Sequence, residues 1–511
     1  MKIMEHSGII YFSKKLYLKY LYIIIMNVLQ KKVKFMTKKG TLNIISIIFT
    51  MICLALLSLF SYLVFKLNIL PTKYLIIGFS VLILITIILL FGIFNKKHKV
   101  FRTLSFIIML LLTVFSCFAI NYLNNTYNFI NSTQNKYDTL NYSVIVLKDS
   151  NYTSIDSLRD KTVSYLNDSY NLDIKNELNS KITYREELVD DFTKMVSLLN
   201  NKDTDAIVLE DSYLTLIEEE DTTFYNNIKV VYTFQIKVKT HEESDDTIIT
   251  QEPFILYISG IDQYGNVNTV RGRSDVNQLV AVNPKTNHIL LVNTPRDYYV
   301  RLAGTIGLKD KLTHAGIYGI NKSIDTLEDL YDININHYLR VNFNTLVKVV
   351  DVIGGIDVYS DKTFNSFHIK GWTVSKGLNH FNGKEALAYS RERYAYIDGD
   401  HHRGRNQQDV ITAIINKITT SKVLISKYNS ILNVLDGSFQ TDISTSGITS
   451  FIKYQLDKMP SWKVESIAVS GYNSYNYTYS MGYNYKLYVM EPDYDSIETA
   501  KEKIKEVLNE S

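Results

Sequence analysis

Three runs of almost unbroken apolar residues, Leu42–Phe65, Tyr74–Phe94 and Leu104–Tyr122, open the chain; beyond them the apolar segments become short and are separated by polar turns. Each run approaches the ~20 residues a helix needs to cross the hydrocarbon core of a bilayer, so each predicts a transmembrane helix. Basic residues orient them. Lys31, Lys32, Lys34, Lys38 and Lys39 precede the first run, and Lys96, Lys97, Lys99 and Arg102 lie between the second and third, whereas the loop Lys66 to Lys73 is less basic. Positive-inside logic puts residues 1–41 and the second loop in the cytoplasm and everything beyond Asn124 outside. Tyr17–Leu29 is apolar but short and interrupted, a cytoplasmic or interfacial stretch, and Met36 offers an alternative start to Met1.

Residues 141–238 predict a small outside α/β domain. Ser143–Leu147 and Asp205–Leu209 read as strands, Ser154–Leu158 as a capped helix start, and Val189–Leu199 as a helix with Phe192, Val196 and Leu199 on one face. The order resembles one lobe of a solute-binding protein. Residues 239–252 are acidic and aperiodic and read as a linker; 253–511 form a second outside domain.

Phe254–Ile258 is continuously apolar, as in a strand covered on both faces. Val276–Val282 and His288–Asn293 form a predicted hairpin around Asn283-Pro284-Lys285-Thr286-Asn287. A hairpin returns the entrance of one strand and the exit of the other to the same edge, so Asp275 and Arg296 should meet there. If the first strand runs parallel to the third, Asp262 joins them, at the edge where open α/β sheets place ligands. Farther on, Asn382–Ser390 reads as a short helix leading to Arg391 and Arg393. The helix after Arg403 carries Gln407, Ile411, Ile414 and Ile418 on one face, and Ile497–Leu508 reads as a closing amphipathic helix.

Composition narrows the chemistry. A net charge of +3 supports no global attraction to nucleic acid, and the outside placement removes these residues from cytoplasmic DNA and ATP. The only cysteines, Cys53 and Cys117, fall inside the apolar runs, so the polar region has no disulfide framework, thiolate zinc site or cysteine nucleophile. Adjacent His401 and His402 lack a third ligand at zinc spacing and read as a solvated loop, and Glu218–Asp221 as a solvated acidic face. The density of arginine beside polar amides is what recognition of a pyrophosphate requires: planar, bidentate donors of permanent charge.

From about Phe254 to the end the chain resembles the LytR-CpsA-Psr family. The resemblance rests on Gly260-Ile261-Asp262, Arg271-Gly272-Arg273-Ser274-Asp275, Thr294-Pro295-Arg296-Asp297, Lys311-Leu312-Thr313-His314-Ala315, Val350–Val358, Ala386–Arg393, and Arg403 with Asn406-Gln407-Gln408, in family order. Asn406 stands where many members have another arginine, and Ile320 where a second glycine is common. The preceding domain is similar to the accessory domain that some members carry.

The resemblance implies an α/β/α domain with a central mixed sheet and an apolar lipid tunnel. It also implies a multi-pass membrane enzyme of the Gram-positive envelope, with its catalytic domain extracellular. That enzyme would move a phosphate-linked glycopolymer, such as teichoic acid or capsule, from a polyprenyl-pyrophosphate carrier to peptidoglycan. On the matching positions Asp262 and Asp275 would hold Mg²⁺, with Mn²⁺ as an alternative. Arg273, Arg296, Arg391, Arg393, Arg403 and Gln407 would grip the pyrophosphate, and Asp297 would orient Arg296. The catalytic set implied is Arg273, Asp275, Arg296, Arg391 and Arg393; no residue stands out as general base. A pyrophosphatase and a non-enzymatic membrane-bound regulator or sensor are the competing readings.

Overall fold

A computed structural model describes residues 41–132, 137–190, 192–239, 249–261, 271–397, 399–420 and 438–511, with Lys427, Ser430, Ile431 and Val434. Most of the N-terminal segment, most of the linker and Asp262 lie outside the described residues. The apolar helices form one compact unit, and the bulk of the chain from Phe129 onward a second.

The helices are Thr41–Leu67, Thr72–Ile93 and Lys99–Ser132, and each is long and apolar enough to cross a membrane. Cys53, Leu89, Ile93 and Met109 pack at their centre. Gly92 permits the closest approach: a Cβ there would lie 1.8 Å from Ser105 Oγ, the small-residue contact on which apolar helices depend where lipid offers no hydrophobic drive. The third helix continues past Tyr122, where the apolar run ends, because no glycine or proline interrupts the polar turns Asn124–Asn128.

In the second unit, strands β1 (Tyr137–Leu147), β2 (Thr162–Leu166), β3 (Arg185–Val189), β4 (Ala206–Glu210) and β5 (Ile228–Lys239) form a five-stranded sheet in the order β3-β2-β4-β1-β5. β2 is parallel to β3 and β4, and β1 antiparallel to β4 and β5. Two sequence expectations shift. Ser154–Leu158 forms a single 3₁₀ turn, and Val189 ends β3, so the helix begins at Phe192, where the apolar face starts.

A six-stranded mixed sheet follows, ordered β16-β11-β6-β7-β8-β17. Its strands are β6 (Phe254–Ile261), β7 (Ser274–Asn283), β8 (His288–Asn293), β11 (His337–Asn342), β16 (Phe439–Thr441) and β17 (Lys463–Ala468). The intervening strands β9 (Tyr299–Val300), β10 (Asp310–Lys311), β12 (Ile356–Ser360), β13 (Phe364–Asn365), β14 (Thr373–Val374) and β15 (Gly377–Phe381) make small side pairs. Because β7 is antiparallel to both neighbours, β6 and β8 point the same way, and β11 runs parallel to β6. One sheet face is sealed: Ile255, Tyr257, Leu279, Ala281 and Tyr338 pack beneath the helices Ile320–Tyr331 and Tyr494–Asn509. The other face carries the helices Phe343–Val352, Gly383–Arg391 and Asp400–Thr420. Gly404 lies against the Asn293 side chain, where a Cβ would come within 2.1 Å of Nδ2.

The two domains of this unit share apolar packing. Ile317, Met481 and Leu487, the last on the hairpin β18 (Gly471–Thr478) and β19 (Gly482–Pro492), join the cluster of Ile145, Val189, Phe192 and Met195. Tyr318 meets Tyr213 edge to face at 5.9 Å.

Candidate active site

The carboxyl ends of β6, β8 and β11 share one edge of the six-stranded sheet with the start of β7. Gly260 pairs with Val276 and Ile261 with Ser274, leaving Asp275 as the extra residue of a β-bulge. A bulge re-aims a side chain out of the alternation of its strand. Asp275 is thereby directed to Arg296, whose Nη1 donates to Oδ2 at 2.7 Å, and to Thr313, whose Oγ1 donates to Oδ1 at 3.1 Å.

Arg296 is held on two sides. Its Nε lies 3.5 Å from Asp297 Oδ2, and its carbonyl accepts from the Thr313 N–H at 2.8 Å. Lys311 Nζ approaches the other Asp297 oxygen at 3.7 Å. The Lys311–Thr313 stretch is fixed from behind by buried Asp310, which is bonded to His314 at 2.7 Å and accepts from the N–H and hydroxyl of Ser480.

Burial alone would raise the Asp275 carboxyl, but the charges of Arg296, Arg273 and Arg403 outweigh it, with the Arg296 hydrogen bond adding to them, and hold it at about 2. The charges of all three guanidiniums thus act on one carboxylate, and Arg296 touches it directly. Arg391 reaches the edge by another route: its guanidinium stacks on the ring of Phe343, 4.6 Å from the centroid, and Phe343 directly follows β11. Gln407 lies one helical turn beyond Arg403 and is half-buried. Arg393 is not drawn in. It is exposed, and its Nη2 donates to the Tyr394 hydroxyl at 2.8 Å.

An apolar surface leads to this edge. On the face that carries Asn293, the central-strand residues Leu256, Ile258, Val276, Leu339 and Val341 are only half-buried. Residues at the middle of a covered sheet are normally sealed, as their neighbours on the opposite face are. On the helix Asp400–Thr420, Ile411 is half-buried too, while Ile414 and Ile418 pack at the margin of the core formed by Val350, Val410 and Ala413. The fully buried stripe of that helix runs through Asn406, Val410 and Ala413, and the Gln407 face is the more open one. Gln408 leaves this face to bond the carbonyls of Leu291 at 3.1 Å and Ile467 at 2.6 Å, tying the helix to β8 and β17.

Several features of the site carried no signal in the residue pattern. Apart from the family resemblance nothing marks Lys311 and Thr313, which lie in a short segment without periodicity or dense charge, and no spacing rule announces a bulge at Asp275. His402 stacks on Tyr396 and accepts from Arg405 Nη2 at 2.7 Å. Among the described residues, no group of three His, Cys, Asp or Glu side chains is arranged to hold a metal. An ionised carboxylate beside arginines nevertheless fits a magnesium ion that takes one or two carboxylates and completes its shell with substrate phosphate oxygens. Asp275 has that character.

The LytR_cpsA_psr family model matches residues 222–503. The polyisoprenyl-teichoic acid–peptidoglycan teichoic acid transferase TagU of Enterococcus faecalis is 34% identical over 208 residues, which are 40% of this chain and 67% of that protein. Biofilm regulatory protein A of Streptococcus mutans is 35% identical over 217 residues, 40% of this chain and 53% of that one. The crystal structure of Bacillus subtilis TagV aligns at 29% identity over 51% of this chain and 99% of its own, with a TM-score of 0.42. The chain therefore spans about half to two thirds of the length of these curated relatives, and with over half of its own length matched by the family model it belongs to the LytR-CpsA-Psr family.

Proposed function

We propose that this chain transfers a phosphate-linked glycopolymer from a polyprenyl-pyrophosphate carrier to peptidoglycan on the outer face of the membrane. One observation carries the reading: a half-open apolar surface in the middle of a sheet ends at a cluster of arginines around an ionised carboxylate. An amphiphile with a long hydrocarbon tail and an anionic pyrophosphate head matches both parts. The name of the Enterococcus faecalis relative supports the choice of teichoic acid as glycopolymer.

In the proposed reaction a peptidoglycan hydroxyl attacks the phosphorus next to the glycan. A new P–O bond to the acceptor forms as the P–O bond to polyprenyl phosphate breaks, and the hydroxyl proton leaves to solvent or a base. Such a transfer needs in-line positioning and charge neutralisation rather than a covalent partner. Arg296, fixed between Asp275 and Asp297, presents a pre-set guanidinium, and Arg273, Arg391 and Arg403 supply further permanent positive charge. Asp275, with Asp262, would hold Mg²⁺, which when bound neutralises charge on the phosphate oxygens. Gln407 would bond the head group, and the half-buried apolar residues of β6, β7 and β11 would line the path of the tail.

The test is the detergent-solubilised full chain incubated with a short polyprenyl-pyrophosphate glycan and peptidoglycan oligomers, with and without Mg²⁺. Glycan-phosphate joined to the acceptor, dependent on the ion and lost in Asp275→Ala and Arg391→Ala, is the expected result. Free glycan-phosphate alone would replace transfer by hydrolysis. Tight lipid binding without turnover would replace it by a carrier-binding regulator.

A further inference from the structure

Arg271 lies two residues before Arg273 but turns away from the site, into the accessory domain. Its Nη1 lies 3.7 Å from Glu210 Oε2, and both side chains are only 9% exposed. Its guanidinium stands 5.9 Å from the centre of the Tyr170 ring, and Asp168 feels its charge. Glu210 ends β4, while Asp168 and Tyr170 follow β2, so these groups cluster at the carboxyl edge of the accessory sheet.

The segment is gripped on the catalytic side as well. A Cβ at Gly319, whose φ of +107° suits glycine, would stand 3.3 Å from the Arg271 guanidinium carbon. A Cβ at Gly316 would come within 2.5 Å of the Gly272 carbonyl and 2.6 Å of Ser274 Oγ. The strand of backbone that carries Arg273 therefore has little freedom between these two glycines and the accessory domain.

We propose that Arg271 and Glu210 form an interdomain clamp through which the accessory domain positions Arg273 for the pyrophosphate. Arg271 is a positioning residue in this scheme: it reaches the substrate only through the short Arg271–Ser274 segment. The inference rests on the transferase reading above, of which it adds a role for the accessory domain. Two physical points favour it. A buried arginine is costly unless it is paired, so the chain has committed this one to the interface. Burial also pushes the Glu210 carboxyl up to about 7 while the charge of Arg271 pulls it down, so each partner shapes the environment of the other.

The test is a double-mutant cycle on the full chain in detergent, with Arg271→Gln, Glu210→Gln, both together, and Arg271→Lys. Affinity for a short polyprenyl pyrophosphate is read by calorimetry, separately from glycan transfer, alongside the melting temperature. Each single glutamine variant should weaken binding by about tenfold, a displacement effect on a charged contact. The double variant should be no weaker than either single one, and Arg271→Lys should recover most of the loss. Losses that multiply in the double variant, losses that track melting temperature alone, or wild-type binding in both single variants would overturn the clamp. Normal pyrophosphate binding by the parent chain without any transfer would defeat the transferase reading and leave the clamp testable by the same cycle.

Discussion

Asp275 is a carboxylate whose ordinary charge state has been made secure by its surroundings. Held at about 2 by Arg296, Arg273 and Arg403 in spite of burial, it stays ionised throughout the range in which proteins are normally handled. A depressed carboxylate stabilises the fold fully above its unfolded pKa, near 4, and loses that contribution as pH falls toward 2. Asp275→Asn should therefore flatten the dependence of stability on pH between about 4 and 2, read by denaturant titrations across that range. An unchanged slope would show that the guanidiniums do not act on this group. Asp275 and Arg296 were legible as neighbours from hairpin logic. The bulge that aims the carboxylate was not, because it is a mismatch between two strands and neither strand's sequence contains it.

The half-open surface belongs to the scale of elements. Its sheet side comes from β6, β7 and β11, and it is bounded by the helix Asp400–Thr420, which Gln408 ties to β8 and β17. Filling it should compete with a lipid tail while leaving the sealed face of the sheet intact. Ile258→Trp is expected to reduce binding of a short polyprenyl pyrophosphate by about tenfold or more with the melting temperature held or raised, since Ile258 is only half-buried and added apolar bulk there buries surface rather than overpacking a core. Undiminished binding, measured by calorimetry, would remove the surface from the carrier's path. From the sequence the isoleucine stripe is visible as amphipathicity, but an amphipathic face looks the same whether it meets a core or a groove.

At the scale of the whole molecule, three helices are long and apolar enough to cross a membrane, and the asymmetry of their basic flanks predicts that the large domains lie outside it. The only cysteines, Cys53 and Cys117, lie within those helices, so an introduced thiol reports on topology cleanly. Leu378 is 74% exposed on β15. In intact cells Leu378→Cys should react with a membrane-impermeant maleimide, and reaction only after lysis would reverse the orientation. Packing between the domains also belongs to this scale, since Ile317, Tyr318 and Arg271 of the catalytic domain complete contacts that the accessory domain begins.

Local chemistry and periodicity were enough to determine the three long apolar helices, the α/β class and the hairpin that brings Asp275 to Arg296. Each depends on residues near one another in the chain or on a period of two or 3.6. Tertiary structure alone decided that Arg271 faces the accessory domain while the charge of Arg273, two residues on, acts on Asp275, and that Arg393 turns to Tyr394. Three arginines of equal charge are indistinguishable as letters; what separates them is which carboxylate or ring each meets after folding, and burial strengthens the meetings it covers.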